Sequence, residues 1–139
     1  MSFGFLRKNL GLKSIDGYYE LLRFSNKQNI TVVGGASKLF KHFIKLNNPN
    51  EVISYADRRW SIGNLYEQLN FKFSHESEPN YFYIIGDERK NRFGFRKDFL
   101  IYKYGCDQSD TEHNFCFNKG WYRIYDCGTK VYKWKKHSN

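Results

Sequence analysis

Two short stretches of the chain hold residues suited to an anionic group. In Thr31-Val32-Val33-Gly34-Gly35-Ala36-Ser37 a glycine pair precedes a basic helical segment. First-turn N–H groups, the helix dipole and the Ser37 hydroxyl could there bind a pyrophosphate or a nucleic-acid phosphate, and the glycines would let it approach the backbone. The G-x-x-x-x-G-K-[ST] spacing of a P-loop is missing. The competing reading is a helix-start turn in which Gly34 and Gly35 relieve steric crowding. The second stretch is Glu51–Phe71, where a strand pattern breaks at Asp57-Arg58-Arg59 and a helix follows with Tyr66 on its inner face. Polar groups at a sheet end, beside a helix terminus, could orient a phosphate or an acceptor. An ordinary β-α connection explains the same residues, and Asp57 reads as a local ion pair or turn cap rather than a magnesium ligand.

A third constellation is basic and aromatic. Arg89, Lys90, Arg92, Arg96 and Lys97 enclose Phe93 and Phe95, and Lys130, Lys133, Lys135 and Lys136 surround Tyr132 and Trp134. Such residues could contact phosphates and stack on bases, but strand alternation places Tyr132 and Trp134 in a core, which favours phosphate contact. Cys106, His113, Cys116 and Cys127 could be drawn as a zinc set. No C-x2-4-C pair occurs among them, so the expectation is buried or semi-exposed thiols and no metal.

These residues need a scaffold, and the patterning predicts one in the order β-α-β-α-β-β. A short strand is expected at Phe3–Arg7, a loop at Lys8–Asp16, and a central strand at Tyr18–Phe24 with apolar bulk on both faces. A helix runs from the glycine pair to about Leu46, with Leu39, Phe40, Phe43 and Ile44 inward and Lys38, Lys41 and Lys45 outward. The strand Val52–Ala56, the helix Ile62–Leu69 and strands at Phe71–His75 and Tyr81–Gly86 follow, the last two separated by a turn at Ser77–Asn80. Beyond the charged stretch Asp87–Lys97, short helices are expected near Asp98–Tyr104 and Asp110–Asn118, with Asp110 as cap. Trp121–Tyr125 and Lys130–Trp134 read as a closing hairpin.

With 139 residues, one domain over 1–139 is expected. The net charge of +9 favours polyanionic partners such as nucleic acid, and 19% aromatic content excludes a disordered basic tail. Three cysteines make no disulfide framework and fit reducing conditions. No run approaches the roughly 18 to 20 apolar residues of a membrane span, and Met1-Ser2-Phe3-Gly4 opens no secretory signal, so a soluble, intracellular protein without a membrane partner is expected.

Two resemblances sharpen these expectations. YYELLRF, the Gly34-Gly35-Ala36 turn with its helix, and NLYEQLNF stand in the order used by GNAT-like acyltransferase folds, and resemble that superfamily's pyrophosphate loop and its L-Y-x-x-x-G-F segment. This covers about Glu20–Phe71. It implies an α/β (α+β) fold, a mixed sheet flanked by helices, with a GNAT-like core at 18–86, incomplete at the N-terminus, and a basic aromatic C-terminal extension at 87–139 carrying helices and the hairpin. It further implies that Gly34, Gly35, Ala36 and Ser37 hold the pyrophosphate of acetyl-CoA or a related acyl-CoA, and that Tyr66 protonates the departing thiolate. Thr31 stands where that loop commonly has Gln or Arg, and Asn70 replaces the glycine before Phe71.

ELLRFSNKQNITVVGGASKLFKHF, ISYADRRWSIGNLYEQLNFKF and GWYRIYDCG also resemble a phage-encoded domain often labelled homing-endonuclease-like, over most of Glu20–Gly128. ELLRF and SYAD are similar to the phage DNA-modification proteins of the Mom type. The resemblance implies a DNA-associated phage protein in the host-cell cytoplasm, and the basic residues Arg58, Arg59, Arg89, Lys90, Arg92, Arg96 and Lys97 are by their charge the candidate DNA contacts. An incomplete sheet would also leave an edge able to pair with a second copy or another chain. Two alternatives stay open. One is a DNA-binding accessory or structural protein without chemistry. The other is a homing-endonuclease-type nuclease, although Glu51, Asp57, Glu67, Asp87 and Glu88 assemble no HNH, GIY-YIG or LAGLIDADG pattern.

Overall fold

A computed structural model describes residues 1–8 and 11–137. Asn9 and Leu10, within the expected Lys8–Asp16 loop, lie outside the described residues. The protein is a mixed α+β chain that divides into two compact units, Met1–Ser77 with Gly128–Asn139, and Glu78–Cys127.

The first unit is built on a five-stranded mixed sheet in the order β1-β2-β3-β8-β4. Its strands are β1 (Ser2–Phe5), β2 (Tyr18–Arg23), β3 (Glu51–Asp57), β4 (Lys72–Glu76) and β8 (Thr129–Lys135). As expected, β2 has a neighbour on either side, running antiparallel to β1 and parallel to β3. The parallel connection passes through α1 (Gly35–Asn47), and β3 leads into the short α2 (Asn64–Gln68). Both helices cover one face of the sheet, where Leu21, Phe40, Val52, Ala56, Leu69, Phe71 and Tyr132 form the core. Phe40 lies with its ring centroid 5.2 Å from Phe71 and 5.6 Å from Trp134, so the apolar stripe of α1 is what seats it on β8.

The parallel pair is laddered over only three steps, Tyr18↔Glu51, Tyr19↔Val52 and Glu20↔Ile53. Beyond them β2 continues against β1 and β3 against β8, and the two strands part. The buried Ser54 hydroxyl donates to the Leu21 carbonyl at 2.8 Å and closes the start of the gap. Ser77 and Thr129 bond each other through backbone (2.8 Å) and hydroxyls (2.9 Å), which extends the β4-β8 pairing to the point where the chain leaves this unit.

The second unit carries an antiparallel sheet in the order β6-β5-β7, from β5 (Tyr81–Ile85), β6 (Glu88–Asn91) and β7 (Tyr122–Tyr125). A 3-10 turn (Arg92–Phe95), α3 (Lys97–Tyr104) and α4 (Glu112–Asn118) complete it. Tyr83, Phe95, Leu100, Cys106 and Cys116 are its core. Its ends are tied together, the Asn80 N–H donating to Asp126 Oδ1 and the Asp126 N–H to the Asn80 carbonyl, each at 2.8 Å.

Several expectations need correction. Trp121–Tyr125 and Lys130–Trp134 form no hairpin: β7 pairs with β5, whereas β8 lies between β3 and β4. A glycine-bearing turn permits a hairpin but does not choose the partner strand. The charged stretch Asp87–Lys97 hides β6, joined to β5 through Gly86-Asp87, with Ile85↔Glu88 closing a two-residue loop. Thr111 caps α4 by accepting the Asn114 N–H at 3.1 Å, while Asp110 accepts from Thr111. Leu39 is turned to solvent, and α2 begins only after the exposed Ile62.

Candidate functional site

The glycine bend opens α1 within the parallel β2-α1-β3 connection, after a stretch of chain that follows β2. Gly34 is the N-cap of α1 at φ +70°, a left-handed conformation that favours glycine, and a Cβ placed there meets nothing within 4 Å. Conformation, not crowding, therefore requires Gly34, and the space beside it is open. Gly35 is the crowded member, since a Cβ would lie 3.1 Å from Val32 Cγ1. Gly35 N–H donates to Val32 and Lys38 N–H to Gly34, both at 3.0 Å. The N–H groups of Ala36 and Ser37 have no acceptor among the described residues. Two unanswered donors thus stand at the start of a 13-residue helix, where an anion could be accepted.

Tyr66 lies on the same helical face of the sheet. Its ring stacks on Tyr132 with centroids 4.9 Å apart and meets Phe71 edge-on at 5.8 Å. Its hydroxyl has no hydrogen-bond partner among the described residues, so the phenolic proton is uncommitted. The Tyr132 hydroxyl is pressed against Gly63, the N-cap of α2, and its proton is held more tightly than usual by burial, then by the nearby Glu67, Tyr66 and Glu76. A small cleft of about 120 Å³ opens between α1 and the end of α2. Ser37 lines it; Tyr66 and Gly34–Ala36 do not.

At the end of β3, Asp57 behaves as a turn former. Its Oδ1 accepts the Arg59 N–H at 2.8 Å, and its carbonyl accepts from Trp60 and Ser61. Arg58 pairs with Glu76 at 3.3 Å, and Arg59 lies over the Trp60 ring at 4.7 Å. Residues expected to contact DNA in the second unit are also held within the chain. Arg89 covers Phe82 at 4.7 Å, Arg92 covers Tyr81 at 5.1 Å, and Arg96 covers Phe93 at 5.1 Å. Lys90 bonds Glu88, and Lys97 bonds the Gln108 carbonyl. A phosphate would have to compete with each of these contacts.

Charge is divided unevenly between the units. Of the chain's 23 Lys and Arg and 14 Asp and Glu, Glu78–Cys127 holds eight of each, so the other unit carries the whole excess of +9. The three cysteines are free, Cys106 and Cys116 buried and Cys127 exposed. Among the described residues no three His, Cys, Asp or Glu side chains gather as a metal set, and no helix is long and apolar enough to cross a membrane.

Two polar clusters escaped sequence reasoning. Glu20, on an interior strand, is buried and receives Arg7 in a two-pronged contact, Nη2 to Oε1 at 2.7 Å and Nε to Oε2 at 2.9 Å. Arg7 also lies 5.3 Å from the Tyr55 ring centre, and burial together with Glu20 raises the Tyr55 pKa against the opposing pull of Arg7. A carboxylate inside the apolar run YYELLR was the only sequence signal. In the second unit, Glu112 Oε1 accepts from the hydroxyls of Tyr81 (2.9 Å) and the fully buried Tyr83 (2.7 Å), while Arg123 Nε donates to Tyr83 at 3.1 Å.

Burial, and then the bond to Glu112, push the Tyr83 pKa far above the ordinary tyrosine value near 10. The folded protein thus holds this proton more tightly than the unfolded chain. The resulting stability is complete below about pH 10 and is lost as pH climbs above it. Urea midpoints measured from about pH 9 to about pH 11 should fall more steeply in the parent protein than in Tyr83→Phe. Parallel pH profiles would show that the proton on Tyr83 is irrelevant to stability.

No protein-family model matches the chain, and no curated protein matches it. The roles of these residues rest on geometry and charge.

Proposed function

We propose that this is a GNAT-like domain of a phage DNA-associated protein, of the Mom-like DNA-modification type, that uses acetyl-CoA or a related acyl-CoA. The observation that carries this reading is the start of α1, in the connection between the parallel strands β2 and β3, where the Ala36 and Ser37 amides lack acceptors. Strand-to-helix connections of open α/β sheets are where ligands commonly bind. Gly34, Gly35, Ala36 and Ser37 would hold the cofactor's pyrophosphate. The bound cofactor would supply an activated acyl group, and Tyr66, with its free hydroxyl on the same face of the sheet, would present the proton for the leaving thiolate.

Calorimetric titration with acetyl-CoA tests this, with Ser37→Glu as the diagnostic variant. A carboxylate in the first turn suits the helix dipole, so thermal stability should be kept or slightly raised, while the added charge repels a pyrophosphate. Affinity should fall at least tenfold. Equal affinity in the two proteins would remove the bend from the site.

A second reading, DNA binding without chemistry, is favoured by the concentration of the entire +9 in the sheet-bearing unit. It predicts steep salt dependence with DNA and no heat with acyl-CoA. The nuclease alternative needs carboxylates gathered about one point, yet Glu51 and Asp57 stand at opposite ends of β3.

A further inference from the structure

The edge of the sheet formed by β4 and β8 carries a cluster of lysines. β3 spans about 20 Å from Asp57 to Glu51. At the Glu51 end an open cleft of about 890 Å³ is lined by Lys72, Lys133, Lys135 and His137, with Phe73 on its rim and Glu67 among its walls.

The register of the sheet makes this clustering deliberate in physical terms. Lys72 and Lys133 are direct cross-strand partners, and Lys135 lies two residues on, so all three leave the same face. Like charges placed opposite one another weaken a strand pair. Among the described residues only Glu51 pairs with them, at 3.8 Å from Lys133 and 3.9 Å from Lys135, distances too long for tight pairing. Lys72 has no carboxylate partner among the described residues. The arrangement retains a repulsion that a bound polyanion would relieve.

Phe73 adds a different chemistry. It occupies the edge strand β4 opposite Tyr132, so it leaves the face opposite to the lysines and reaches the cleft only around the sheet edge. It is 55% exposed and meets Tyr132 edge-on at 5.9 Å. A duplex keeps its bases stacked and would offer this ring nothing, whereas an unpaired base can lie on it.

We infer that this cleft binds single-stranded nucleic acid, with Lys72, Lys133 and Lys135 on successive phosphates and Phe73 under a base. The inference rests on the nucleic-acid-binding reading above and assigns it to residues other than the glycine bend and the basic run Arg89–Lys97. That run belongs to the unit without net charge, and its cations already have partners within the chain.

Fluorescence anisotropy with a labelled oligodeoxythymidine of about 20 nucleotides tests it, beside oligouridine and a duplex of equal length. Combining Lys72→Gln, Lys133→Gln and Lys135→Gln should weaken single-strand binding tenfold or more near 0.1 M salt. It should also make the plot of log K against log salt shallower by about 2, since each lost contact removes about 0.7. Phe73→Ala should lower affinity with the slope unchanged. Glu51→Gln, which removes the opposing carboxylate, should tighten binding and steepen the slope. Should the triple variant fail to fold by circular dichroism, Lys72→Gln alone, on the exposed edge strand, should still make the slope shallower.

A folded triple variant with the parent's affinity and slope would overturn the cleft assignment while leaving nucleic-acid binding elsewhere intact. A preference for duplex with Phe73→Ala neutral would overturn the single-strand assignment. A parent protein that binds no oligonucleotide at low salt would defeat the underlying reading together with this one.

Discussion

Gly63→Ala lowers the stability of the sheet-bearing unit by about 3 kcal/mol, the sum of two independent costs. Gly63 holds φ +91° as the N-cap of α2, and an alanine in the left-handed region costs roughly 1–2 kcal/mol. The added Cβ would also stand 2.1 Å from the Tyr132 hydroxyl oxygen and 2.7 Å from its Cζ, so a buried ring must move or the helix start must shift. Overpacking of this kind costs about 1–3 kcal/mol. Thermal denaturation should show a fall on the order of 10 °C. Adding Tyr132→Phe removes the nearest atom but neither the Cζ contact nor the backbone strain, so the double variant should recover only about 1 kcal/mol in a mutant cycle. A drop below about 1 kcal/mol for Gly63→Ala would mean that α2 can re-seat freely, and the position of Tyr66 would then be loosely held.

The second large effect concerns Arg7 and Glu20. Arg7→Ala leaves a carboxylate that is 3% exposed without its cation, and should cost about 2–3 kcal/mol, the lower end for a broken buried pair because Arg7 itself is 43% exposed. Glu20→Gln leaves an arginine that water can solvate, and should cost only about 1 kcal/mol. The inequality is the test. Equal urea midpoints for the two variants would show that solvent reaches Glu20 when Arg7 is absent.

How far the chain's architecture could be read from its residues depended on the range of the forces involved. Local signals placed most elements, though not the cap of α4, the exposed Leu39 or the charged strand β6. The apolar stripe marked α1, Leu39 excepted, the β-branched and aromatic bulk of Val52, Ile53 and Tyr55 marked β3, and Tyr132 and Trp134 were placed inward by strand period. Pairing was not legible, because hydrogen-bond partners along a strand are set by the whole sheet. Thr129–Lys135 was recognisable as a strand, yet nothing within it distinguishes β7 from β3 and β4 as neighbours. The same blindness hid the lysine cleft, since Lys72 and Lys133 are distant in sequence and meet only through the register. Arg7 and Glu20 likewise lie 13 residues apart in sequence. The glycine bend was visible, but its meaning turned on the sign of φ at Gly34 and on the empty space beside it.

The bonds that join Ser77 to Thr129 and Asn80 to Asp126 make the middle of the chain topologically a swollen hairpin loop between β4 and β8. Closing a loop costs free energy that grows only with the logarithm of its length, so a turn of a few residues could bulge into a lobe with its own interior at little penalty to the sheet. Replacing that lobe with a short turn would leave in place the lattice of hydrogen bonds that fixes β8 between β3 and β4, because none of those bonds runs through it.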